Sequence, residues 1–173
     1  MFFKKQKPPT ISPDRFYKSI PVVTPGLQYE EDSKGIVTIL IPIREGDKVV
    51  RTAKIKLDFI GSKVWKKIDG KTSFSELCQW MKSEFLITEK EAEISLSMFI
   101  KMLADRRLIA LVLPPPRPGT KEVEEELERL RFEIRELEKA YKKRRINEEV
   151  YKKVRENYEE AIRELKKLEG TKK

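Results

Sequence analysis

Hydrophobic and polar positions change rhythm along the chain, and the rhythm predicts the elements. From Pro21 the texture is of short β type: Val22-Val23 precede a Thr24-Pro25-Gly26 turn, and Leu27-Gln28-Tyr29 follow it. The run from Ile36 to Ile43 is rich in β-branched residues and lies between two turn-like stretches, Ser33-Lys34-Gly35 and Arg44-Glu45-Gly46-Asp47-Lys48. From Val49 to Leu57 the alternation is clean. Val49, Arg51, Ala53, Ile55 and Leu57 fall on one side and Val50, Thr52, Lys54 and Lys56 on the other, predicting a strand with one buried and one wet face. The period then lengthens. Ile60, Val64, Trp65 and Ile68 share a helical face after Asp58, with Asp69-Gly70 as the stop. Ser73 with Glu76, and Thr88 with Glu91, have the spacing of capping boxes. They open helices whose stripes are Phe74, Leu77, Cys78 and Met81, then Ala92, Leu96, Phe99, Ile100 and Leu103. The run from Leu108 to Leu113 predicts a closing strand. The order is thus three strands, three short helices and a last strand.

Pro114-Pro115-Pro116-Arg117-Pro118-Gly119 interrupts any helix or central strand and reads as a stiff spacer over 114–120. Beyond it, Val123, Leu127, Leu130, Ile134, Leu137 and Tyr141 recur at spacings of a heptad seam, as do Tyr151, Val154, Tyr158, Ala161, Leu165 and Leu168. Lys142-Lys143-Arg144-Arg145 suits a helix C-terminus, and Asn147 with Glu148 and Glu149 suits the next N-terminus. Residues 121–170 therefore read as an antiparallel two-helix coiled-coil hairpin.

Composition sharpens this division. Charged residues make up 39% of the 173, far above the roughly 25% of an average chain, as expected when part of it has little core. The net charge of +9 is spread as +4 over residues 1–20, +2 over 21–113 and +3 over 114–173, so no compact element is a basic nucleic-acid module. Residues 1–20 read as a basic flexible arm. Phe2 and Phe3 beside Lys4, Lys5 and Lys7 offer only weak attraction to an anionic membrane. No apolar run has the length of a signal peptide or a membrane span, so the expected location is the cytoplasm. Scarce Asn and Gln with abundant Lys and Glu give a thermophile-like composition.

The chain has no histidine and a single cysteine, Cys78, on an apolar helix face. With no Gly-rich phosphate loop, nucleophile elbow or metal-ligand spacing either, the sequence predicts no enzyme activity, no metal and no cofactor.

One stretch resembles a known family. Leu57-Asp58-Phe59-Ile60-Gly61-Ser62-Lys63-Val64-Trp65-Lys66-Lys67-Ile68-Asp69-Gly70 has an acidic residue after a strand-ending Leu, a small residue, an aliphatic-Trp pair and an Asp-Gly stop. Thr72-Ser73-Phe74-Ser75-Glu76-Leu77, Phe85, Phe99-Ile100, Leu103 and Leu108-Ile109 continue the match. In order and spacing they resemble the PqqD family of peptide chaperones over residues 21–113. Arg107 departs from the pattern: it stands where the family usually has Gly before the final Leu-Ile, at a left-handed cap.

The resemblance implies a winged-helix-like α+β domain, with a three-stranded antiparallel sheet and three helices. It also implies that a leader peptide is presented to a modifying enzyme, often of radical-SAM type. The leader would add as a strand at Arg51, Thr52, Ala53, Lys54, Ile55 and Lys56, against a helix contributing Ile94, Ser97, Met98, Lys101 and Met102. Ile94, Met98 and Met102 recur every fourth residue, either as a broad core face or as an adaptable groove. Lys54 and Lys56 suit an acidic leader, or protect an edge against aggregation. The hairpin reads as a spacer, a docking element or a homodimer contact. The rival class is a winged-helix DNA-binding regulator dimerised by the hairpin. It ranks second because the third helix opens with Glu89, Lys90, Glu91 and Glu93, an acidic edge that repels phosphate.

Overall fold

The β-branched runs form two separate sheets. The computed structural model describes residues 9–45 and 47–169, so Phe2, Phe3, Lys4, Lys5 and Lys7 of the expected arm, and Gly46, lie outside it. β1 (Ile20–Val23) pairs antiparallel with β5 (Ile109–Val112), Ile20 opposite Val112. β2 (Gln28–Glu31), β3 (Val37–Glu45) and β4 (Lys48–Lys56) form the three-stranded antiparallel sheet in that order, Gln28 opposite Leu40 and Glu31 opposite Val37. The two sides of the Thr24-Pro25-Gly26 turn thus belong to different sheets, which the sequence reading had not separated. The cause is local: the Thr24 N–H donates to the Leu108 carbonyl (3.0 Å) and its hydroxyl to the Arg107 carbonyl (2.7 Å), holding the chain beside β5 until Gly26, at φ +79°, turns it away.

The described residues fall into two compact units. The first comprises residues 13–43 and 49–114. It opens with α1 (Pro13–Tyr17), inside the segment read as a flexible arm. Five residues are too few for a legible period, and so short a helix stands only on tertiary contacts. Here the Phe16 and Tyr17 rings lie 4.5 and 5.6 Å from Phe74, and Ser19 accepts the Phe74 N–H at 2.8 Å.

α2 (Phe59–Lys67), α3 (Phe74–Phe85) and α4 (Glu89–Asp105) start where their caps predict. Asp58 accepts the Gly61 N–H at 2.6 Å, and both capping boxes are complete. Bonds from the Ser73 hydroxyl and N–H hold the Glu76 carboxyl below the usual range; bonds from the Thr88 N–H and hydroxyl do the same for Glu91. Since both folded-state values are depressed, the stability these caps contribute is present above the ordinary carboxylate range and is lost as pH falls through it.

The core joins Val37 and Ile39 of β3 to Val64, Trp65, Phe74, Leu77, Leu96, Ile100, Leu103 and Leu108. Two expectations need correction. Ile60, placed on the buried face of its helix, is 47% exposed; Gly61 and Ser62 are buried there instead, which turns the face about one position along. The buried side of β4 also covers only its second half. Val49 and Arg51 are exposed, Ala53 and Ile55 half-buried and Leu57 buried, so burial deepens toward the end of the strand, where Ile55 and Leu57 reach the core.

Arg107 settles the departure from the family pattern. It adopts φ +57°, and the bonds Arg107 N–H to Ala104 carbonyl and Leu108 N–H to Leu103 carbonyl, both 2.9 Å, make a Schellman cap without glycine. Relief of roughly 1–2 kcal/mol of left-handed strain outweighs the roughly 0.5–1 kcal/mol entropic cost of glycine. Arg107→Gly is therefore expected to raise the urea midpoint, by the equivalent of about 0.5–1 kcal/mol. A lower midpoint would show instead that the arginine side chain contributes to folding.

The second unit contains α5 (Lys121–Lys142) and α6 (Glu148–Glu169), packed as an antiparallel pair. Val123, Leu127, Leu130 and Leu165 are its buried centre. At the turn the Tyr141 and Tyr151 rings stack at 4.4 Å and 11°, and Arg155 donates to the Tyr151 hydroxyl at 2.5 Å. Arg144, at φ +54°, closes α5 with the same bond pattern as Arg107.

Candidate functional site

An end strand carries main-chain groups that no neighbour pairs, and β4 is an end strand of its sheet. Arg51, Thr52, Lys54 and Lys56 are exposed on it; Ala53 and Ile55 are half-buried. The other end strand, β2, is shorter and more engaged. Tyr29 meets Trp65 edge-on at 6.3 Å, and Glu31 pairs with Lys66 at 2.7 Å.

The residues singled out on α4 divide by exposure. Ile94 and Met98 are 53% and 69% exposed, so they are not the outer part of a broad core face. Lys101 is exposed, and Ser97 is half-buried. Met102 and Ile55 are each half-buried against the core of the first unit. Ile94 and Met98 stand clear of that core. A surface that leaves an isoleucine and a methionine this open is suited to apolar contact with another chain.

The helices also frame a concavity. Between α2, the α3–α4 turn and α4 lies a cavity of about 450 Å³ lined by Ile60, Val64, Phe85, Ile87, Ser95 and Phe99. The helices approach closely at Gly61, where a Cβ would sit 3.0 Å from the Asp58 carboxylate and 3.2 Å from the Phe99 ring. The sequence did carry one signal for it: Phe59 and Ile60 add apolar side chains to α2 beyond what the buried face at Val64, Trp65 and Ile68 can absorb.

Cys78 is buried, and burial pushes its thiol up to about 11, so it is protonated and unreactive at neutral pH. Among the described residues there is no group of three or more potential metal ligands, and no helix is long and apolar enough to cross a membrane.

An open sheet edge beside a small helical core, with an aliphatic stripe left exposed on one helix, defines a small α+β domain. Residues 49–109, a little more than a third of the chain, match the family model of coenzyme PQQ synthesis protein D (PqqD). The match runs from β4 to the start of β5 and therefore includes β4 and α4 whole apart from Lys48; it is narrower than the span from residue 21 to 113 expected from the motifs. Members of this family are non-catalytic accessory proteins that bind peptides and partner enzymes in biosynthesis. No curated protein and no solved structure matches the chain.

Proposed function

We propose that this protein is a non-catalytic peptide chaperone which takes the leader of a ribosomally made peptide at the edge of β4 and presents it to a modifying enzyme of radical-SAM type. The observation that carries this reading is the exposed end strand Arg51–Lys56 in a domain whose α4 leaves Ile94 and Met98 uncovered. Main-chain bonds along β4 would give affinity, and the helix stripe, with Ser97, Lys101 and Met102, would give selectivity. The hairpin of α5 and α6, which lies outside the family match, serves in this reading as the element that docks the enzyme or a second copy.

Titrating a candidate leader peptide into the isotope-labelled chain tests the site. The amides of residues 51–56 should shift together and saturate. Unchanged shifts there at saturating peptide refute edge addition. No observation favours the DNA-binding alternative: α4 opens with Glu89, Glu91 and Glu93.

A further inference from the structure

Charge changes sign from one end strand to the other across the outer face of the sheet. Register sets Glu30 of β2 opposite Thr38 of β3, on the face turned away from buried Val37 and Ile39. Lys54 of β4 reaches that face, its Nζ 3.6 Å from the Glu30 carboxylate. Lys56 shares the face by the pleat of the strand. Crossing the sheet, the order is anion, neutral hydroxyl, cation, and then the open edge.

β4 carries Lys48, Arg51, Lys54 and Lys56 and no carboxylate. Lysines on an edge strand protect it against pairing with another copy, and they also set which partner strand it accepts. A strand of one sign discriminates between partners, because a like-charged neighbour is repelled and an opposite one attracted. The Lys54–Glu30 pair does not consume this preference, since both side chains are more than 60% exposed and the lysine remains free to share a second carboxylate. On the inner face the chemistry is different: Ala53 and Ile55 are half-buried, and Ile55 leans on the core.

A strand laid beside β4 places its side chains alternately on these two faces. Resting on the edge-strand reading above, we propose that the ligand of β4 is an extended peptide in which acidic and bulky apolar residues alternate. Its carboxylates lie beside Lys54 and Lys56, and its apolar side chains turn toward Ala53 and Ile55.

The test uses the full chain and three synthetic peptides of about ten residues, a common strand length, in which Leu alternates with Glu, Gln or Lys. Binding is followed by fluorescence anisotropy and by the amide shifts of Lys54, Ile55 and Lys56. The Glu peptide should bind tightest and the Gln peptide roughly fivefold more weakly, the effect of two exposed charge pairs, with the gap closing as salt rises. In the double variant Lys54→Glu/Lys56→Glu the order should reverse in favour of the Lys peptide. Equal affinity of the Glu and Gln peptides with full shifts along β4 overturns the acidic alternation and leaves edge addition standing. Absence of β4 shifts with every peptide overturns both.

Discussion

Phe74→Ala should destabilise the first unit by about 3–5 kcal/mol, the usual loss for a large aromatic removed from a core. Phe74 is completely buried, and it is the first residue of α3, directly after the Ser73 cap. Its ring stands between the helix and the short α1, against Phe16 and Tyr17, and its N–H donates to Ser19. Deleting the ring therefore removes both the transfer energy of an aromatic side chain and the seat of an element that has no independent stability. Urea unfolding followed through Trp65 and Trp80 should show the shift in midpoint. Hydrogen exchange should show the amides around Phe16 and Tyr17 losing protection first. A loss below about 1 kcal/mol would mean that the site collapses around the alanine and that α1 does not depend on it.

The second large effect comes from a single hydroxyl. Ser62 is fully buried in α2; its Oγ donates to the Asp58 carbonyl at 2.6 Å and accepts the N–H of Val37 at 2.9 Å. Ser62→Ala leaves the Val37 N–H buried without its acceptor, at a cost of about 1–3 kcal/mol, more than the net worth of an ordinary hydrogen bond. The Val37 carbonyl is taken by Leu57 at 2.9 Å, so this residue of β3 is tied to the chain at the end of β4 and to the helix that follows it. Accelerated exchange of the Val37 amide, with little change at half-buried Lys63, would identify the lost bond as the cause. Unaltered stability would show that the serine is not the structural link between sheet and helix.

These two positions also mark where the sequence stops being readable. The helices from Phe59 to Asp105 were legible because each carries both a period and a cap, Asp58, Ser73 or Thr88, and these signals act within a few residues of each other. The hairpin was legible for the same reason. Phe74 and Ser62 look ordinary in sequence; their importance comes from Phe16 and Val37, dozens of positions away. The same limit hid α1, the separation of the sheets at Thr24, and the cavity formed by Ile60, Phe85 and Phe99. For the candidate site, the four-residue spacing of Ile94, Met98 and Met102 revealed an apolar stripe but not whether it was covered. Only the fold distinguishes Met102, half-buried on the core, from Met98, left open.

The bond from Arg15 has a bearing on how such a domain travels between proteins. The guanidinium donates twice to the carbonyl of Pro114, at 3.2 and 2.8 Å, and the strand that follows it pairs with the strand that precedes Pro114. Entry to and exit from the domain are therefore side by side. A unit with adjoining ends can be set into a loop of a larger enzyme, or have its ends joined by a short connector and be reopened elsewhere, without unthreading its core. The geometry makes the outer ends of this domain, at Arg15 and Pro114, a single place of attachment.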